Sequence, residues 1–291
     1  MKKVIVSLAL VAGLGLNASA WYFDGGLTGT TGPDGYSGYK LNVRVGQDEL
    51  SLEPSLTRYT SDALKKDYST YALRGAMEKE KYTVGAEAAT TPEVNGYKNL
   101  SLAGDITFSL TPGSGGHSRL AGPGARASYG GGSGVARVDV GASLKQTQHT
   151  QAVAGASDKK TSETAAMLFA GAKVLMLNLS ASFTGYSYGD EKATPQDFVS
   201  GQNFVVQAQP KSSVNARVDI PSTIPLVTPF AGYTTTKYKG GSAAAKTDKS
   251  STVTLGGYVD LNMVVANLTY QIFSYNDHNK SFVSIGAGLK F

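Results

Sequence analysis

The side chains able to do chemistry in this sequence are charges set singly into alternating segments. Lys40, Arg44, Arg74, Arg137, Lys145 and Arg217 are the bases, and Glu53, Glu87, Asp105, Asp139, Asp219 and Asp260 are the acids. In "ARVDVGASLK" (Ala136 to Lys145), Arg137, Asp139 and Lys145 fall on one face and Val138, Val140 and Leu144 on the other. A ring of charges of one sign selects ions. A mixed set predicts either weak selectivity or pairing across the lumen that helps to fill it.

Catalysis is not expected. The histidines are His117, His149 and His278, all in Gly-rich or polar stretches. They share no spacing that suits a metal and read as solvated loop residues. The glycines of "GPGARASYGGGSG" lack the Gly-Lys-Ser/Thr that would cradle a phosphate. No catalytic, cofactor-binding or metal-ligating residue is therefore predicted. The net charge of +5 falls to 5 − 2 = +3 without Lys2 and Lys3, and it is spread along the chain. A nucleic-acid partner is not expected on that basis.

The elements that must position these charges are strands. Period-two alternation runs through "YKLNVRV", "YALRGAM", "YTVGAEA", "LSLAGDITFSL", "LMLNLSASF", "VNARVDI", "VTLGGYVDL", "ANLTYQI" and the closing "FVSIGAGLKF". "NFVVQAQPKSSVNARVDI" (203–220) keeps one phase and reads as one long strand. Helical periodicity persists nowhere after residue 20. Connections alternate between short turns, such as 46–48 and 78–80, and longer polar loops. The long ones are 30–38, 60–68, 90–98, 146–163, 189–201, 239–251 and 275–281. The pattern predicts an all-β, antiparallel up-and-down barrel of about 14 strands, with 12–16 possible, having short periplasmic turns and longer extracellular loops. Residues 111–134 fall where a short turn belongs. They could be a Gly-rich turn, an extra hairpin or a segment folded into the lumen.

Composition agrees with a wall between lipid and water. Charged residues are only 17% of the chain, against roughly a quarter in average globular proteins. No stretch after the first twenty residues is apolar enough for a spanning helix. Residues 1–20 carry Lys2 and Lys3, an apolar run and Ala18-Ser19-Ala20, the order of a secretory signal peptide cleaved near Ala20. The barrel is then expected over 21–291. Aromatics at strand ends (Trp21, Tyr22, Phe23, Tyr39, Tyr59, Tyr71, Tyr82, Tyr186, Tyr188, Tyr238, Tyr258, Tyr275 and Phe291) suggest interfacial girdles.

With its export signal, alternating strands and final Phe291, the chain resembles Gram-negative outer-membrane β-barrels, and its size resembles that of OmpG-type monomeric porins. "LSLEPSLTRY" (Leu50 to Tyr59) is loosely similar to an early strand of that type. Val283, Ile285, Ala287, Leu289 and Phe291 match the last strand that the barrel-assembly machinery reads in such proteins. The resemblance implies outer-membrane lipid as the surroundings. A barrel of this size is wide enough for water and small solutes, so passive diffusion of small hydrophilic solutes is the leading expectation. A non-conducting structural or surface-binding barrel, of adhesin or receptor type, is the alternative.

Overall fold

The computed structural model describes residues 21–62, 66–111, 119–125, 136–189, 209–221, 226–239, 249–275 and 278–291. The strands are β1 (Trp21–Thr31), β2 (Ser37–Gln47), β3 (Leu50–Thr60), β4 (Tyr68–Glu78), β5 (Tyr82–Val94), β6 (Tyr97–Ser109) and β7 (Ala136–Gln151). They continue as β8 (Lys159–Val174), β9 (Leu177–Tyr188), β10 (Pro210–Asp219), β11 (Val227–Tyr238), β12 (Lys249–Asp260), β13 (Val264–Tyr275) and β14 (His278–Lys290). Each pairs antiparallel with its neighbours in sequence, and β14 returns to β1 to close the barrel. The closing register runs from Asp24↔Lys290 to Thr31↔Val283. Phe23 and Phe291 exchange backbone hydrogen bonds of 2.6 and 2.9 Å beyond it. No edge of the sheet is left unpaired, as a bilayer core demands.

The two faces of the wall differ sharply. On β6, Leu100 and Leu102 are 55% and 62% exposed, whereas Ser101 and Asp105 are 5% and 8% exposed. Leu73, Leu144, Leu168, Leu268 and Ile285 share the apolar face. So large an exposed apolar band belongs against lipid. The polar face is the concave one, because side chains from strands two apart meet on it. Arg44 of β2 reaches Glu78 of β4, and Arg74 of β4 reaches Asp105 of β6. Side chains on a convex face would diverge over that span.

Strand ends depart from the sequence reading. The loop expected over 90–98 is strand on both sides of a two-residue turn, Asn95-Gly96. Its φ angles of 53° and 76° are both left-handed, which Asn and Gly tolerate and which matches strand twist. The loop expected over 146–163 shrinks to 152–158, since β7 runs to Gln151 and β8 starts at Lys159. Residues 275–281 likewise belong largely to β13 and β14. Backbone pairing continues where the apolar face stops, so polar sequence at these ends still forms ladder. The loop expected over 239–251 gives Lys249–Ser251 to β12, and 240–248 lie outside the described residues. The same holds for 190–208, which include most of the 189–201 loop and the first part of the long strand expected over 203–220; its described part is β10. The signal segment, residues 1–20, also lies outside them.

Candidate functional site

The charges on the concave face form pairs, Arg44–Glu78, Arg74–Asp105 and Lys290–Asp260 across strands and Arg137–Asp139 and Arg217–Asp219 along a single strand. Arg74 donates to Asp105 through both terminal guanidinium nitrogens, with the Nη2–Oδ2 bond at 2.9 Å. Its path crosses β5 at Gly85, where a Cβ would overlap the guanidinium. Only glycine leaves room for that crossing. Glu53 and Glu87 are the register partners of Arg74 on the two adjacent strands. One buried base thus has three acids around it.

Other charge pairs line the rest of the wall. Arg44 contacts Glu78 and donates to Ser51 Oγ at 3.3 Å, and Ser51 donates in turn to Glu78 at 3.0 Å. Lys290 donates to Asp260 at 2.6 Å across β13. Arg217 binds Asp219 at 2.7 Å and donates to the Tyr258 hydroxyl. Its guanidinium lies 3.9 Å from the centre of the Phe230 ring, a cation–π contact. Arg137 donates to Asp139 at 3.1 Å. Lys145 is half-buried on β7 and Lys40 is exposed on β2. Glu78, expected in a turn, is the last residue of β4. It keeps the phase of Arg74 four residues earlier, and that phase marks it as a wall residue. Nothing in the sequence pairs Ser51 with Arg44 or Tyr258 with Arg217.

One stretch left open by the sequence enters the lumen. Among the described residues of 111–134, residues 119–125 pack against the inner wall. Arg119 donates to Thr83 Oγ1 at 2.8 Å and to the carbonyls of Lys79 and Glu80. Leu120 N donates to Asp139 Oδ2 at 2.9 Å. Gly122, at φ 92°, lies so close to the Phe169 ring that a Cβ would overlap it. Phe169 also covers Gly141, its register partner on β7. Between this segment and strands β8, β9, β10 and β12 lies a cavity of about 500 Å³. Arg217, Asp219, Tyr258, Asn178 and Asn215 are in its lining.

Several side chains take other roles than expected. Trp21, Tyr39, Tyr71 and Phe291 stand on the outer face, 38% exposed or more, as a girdle requires. Tyr59 and Tyr238 are 3% and 8% exposed instead. They belong to an interior aromatic cluster with Tyr36, Tyr68, Tyr97, Phe273 and Phe282 at the end of the barrel away from the chain termini. Tyr22 and Tyr258 also turn inward, to Glu78 and Arg217. Strand phase, not proximity to a strand end, decides which face an aromatic takes. Burial pushes the Tyr36 hydroxyl, in the β1–β2 turn, up to about 12. His149 is not a solvated loop residue but a buried one on β7. Its Nδ1 lies 2.7 Å from the Tyr97 hydroxyl, and its Nε2 lies 3.6 Å from Glu163. His278 opens β14 and is exposed; His117 lies outside the described residues.

A closed antiparallel wall with an apolar outside and a polar, charge-paired inside defines a transmembrane β-barrel of the outer-membrane type. CdiB from Acinetobacter baumannii has a similar fold, with a TM-score of 0.52 at 10% identity over 93% of this chain and 60% of that one. This chain therefore spans 60% of the length of CdiB. The NanC porin gives 0.46 at 9% identity, covering 94% of this chain and all of that one. OccK5 of Pseudomonas aeruginosa gives 0.43 at 11% identity, over 94% and 98% of the two chains. At such identities the likeness is one of fold. No family model and no curated protein sequence matches the chain.

Proposed function

We propose that the barrel is a porin-like channel for small hydrophilic solutes in the outer membrane of a Gram-negative bacterium. The observation that carries this reading is the cavity of about 500 Å³ left inside the wall, lined in part by polar side chains, among them Arg217 and Asp219, whose charges neutralise one another. A packed eight-strand barrel has no such space; a wider one does. Small residues on the concave face, including Ser51, Ser101 and Ser143, add room. The balanced charges of Lys40, Arg44, Glu53, Arg74, Glu87, Asp105, Arg137, Asp139, Lys145, Arg217, Asp219 and Asp260 favour weak ion selectivity. On this reading outer-membrane lipid surrounds the apolar face. The assembly machinery recognises the last strand through Val283, Ile285, Leu289 and Phe291.

The buried aromatic cluster and the inward 119–125 segment favour a second reading, a non-conducting barrel whose loops bind a surface partner. Planar-bilayer recording of the refolded protein separates the two. Discrete current steps support the channel, and their absence in repeated insertions of folded protein supports the closed barrel.

A further inference from the structure

The cavity beside the inward segment has the chemistry of a binding subsite rather than of a plain gap. Its acid and base are already satisfied by each other: Arg217 is held by Asp219, by the Tyr258 hydroxyl and by the face of Phe230. A charged solute would have to break that arrangement to find a partner, and a buried uncompensated charge is costly. What is left for a solute is neutral. Asn178, Ser180, Ser182 and Asn215 present amides and hydroxyls from β9 and β10, groups that both donate and accept. Facing them, Leu120 and Pro123 of the inward segment supply apolar surface.

Asn178 gives the second, independent indication. It is 6% exposed, and its side-chain oxygen is enclosed without a hydrogen-bond partner, so the amide must turn toward the cavity to meet a solute. Buried polar atoms are rarely left so, and each exception calls for an explanation. Asn215 Nδ2 is bound to Thr234 Oγ1 at 2.6 Å, which fixes the amide and leaves its oxygen as an acceptor. The volume of about 500 Å³ lies within the range of small-ligand sites.

We infer that this cavity is a subsite for a neutral polyhydroxylated solute of disaccharide size, bound by the amides and hydroxyls of β9 and β10 on one side and by Leu120 and Pro123 on the other. The inference rests on the channel reading for how the solute arrives. Vicinal hydroxyls would match the alternating donors and acceptors, and the C–H faces of the rings would lie on the apolar side.

The test uses sucrose as the probe, with gluconate as a charged control and a polyethylene glycol of similar size as a control for bulk. Ion current through single barrels is recorded as each is added, and sucrose binding to the detergent-folded barrel is measured by titration calorimetry. The expected result is saturable sucrose binding and saturable current block, without either from gluconate or the glycol at equal concentration. Asn178→Leu and, separately, Asn215→Leu should each raise the half-blocking concentration about five- to tenfold, with block read relative to each variant's own unblocked current. Heat-modifiable migration checks that each variant folds. Conducting barrels with no saturable sucrose effect, or with equal block by glycol, would overturn the subsite and leave the channel standing. Barrels that never conduct would overturn the channel; calorimetry then decides the subsite alone, with no saturable binding counting against it.

Discussion

Arg74 on β4 and Asp105 on β6 form a buried ion pair that reaches across an intervening strand, over the bare backbone of Gly85. The pair ties three strands together on the inner wall. Its existence depends on a residue that takes no part in it.

Gly85→Leu should therefore behave like removal of one partner. The side chain would occupy the guanidinium's path and leave two buried charges apart. Breaking a buried pair costs about 3–5 kcal/mol, so the urea midpoint of the barrel in lipid vesicles should fall substantially. Gly75→Ala, at a position where a Cβ meets nothing closer than 4.0 Å, is the matched control. An unchanged midpoint in the Gly85 variant would show that Arg74 can pair by another route.

Phe230 does a similar task on the opposite wall. Its ring covers Gly256 on β12, stacks on Tyr258 at 4.8 Å and carries Arg217 on its face. Aromatic cover of a cross-strand glycine stabilises sheets. Phe230→Ala should cost about 3 kcal/mol or more, measured by the same unfolding midpoint, and Phe230→Tyr much less. Equal losses would mean that the ring's cover is irrelevant.

The inward segment hangs on Arg119. Replacing it by Ala removes the bonds to Thr83 and to the carbonyls of Lys79 and Glu80. The 119–125 stretch should then leave the wall, and single-channel conductance should rise with folding intact. A conductance identical to that of the unaltered barrel would show that the segment does not narrow the passage.

Tyr36 predicts a specific alkaline response. Its folded value is raised to about 12 from an ordinary 10.0, so below pH 10 both folded and unfolded chains hold the proton and the contribution is fully present. Between those values the unfolded chain releases its proton first, and stability falls as pH rises, by roughly 2 kcal/mol at most. Unfolding midpoints at pH 9 and pH 11.5 should differ less in Tyr36→Phe than in the unaltered protein. The same decline in both would place the alkaline weakness elsewhere.

The strand pattern is legible in the sequence because one face of every strand must be apolar to meet lipid. That constraint prints a period of two through "ARVDVGASLK" and through the closing "FVSIGAGLKF". The same period, by phase alone, sorts the charged residues onto the inner face. Strand ends are not legible, because residues 146–151 and 159–163 pair outside the lipid band, where nothing selects apolar side chains. The partners of the charges are hidden too. Arg74 meets Asp105 through strand register and the absence of a side chain at 85, neither of which leaves a local pattern. Residues 119–125 carry no period, and their path is set by tertiary contacts such as those of Arg119 and Leu120.

The most direct test of the central claim is single-channel recording of the purified, refolded barrel in a planar bilayer under a salt gradient. The account predicts discrete, stable current steps with a reversal potential near zero, since acids and bases on the inner wall pair with one another. Repeated insertion of folded, heat-modifiable protein without any current step would contradict it.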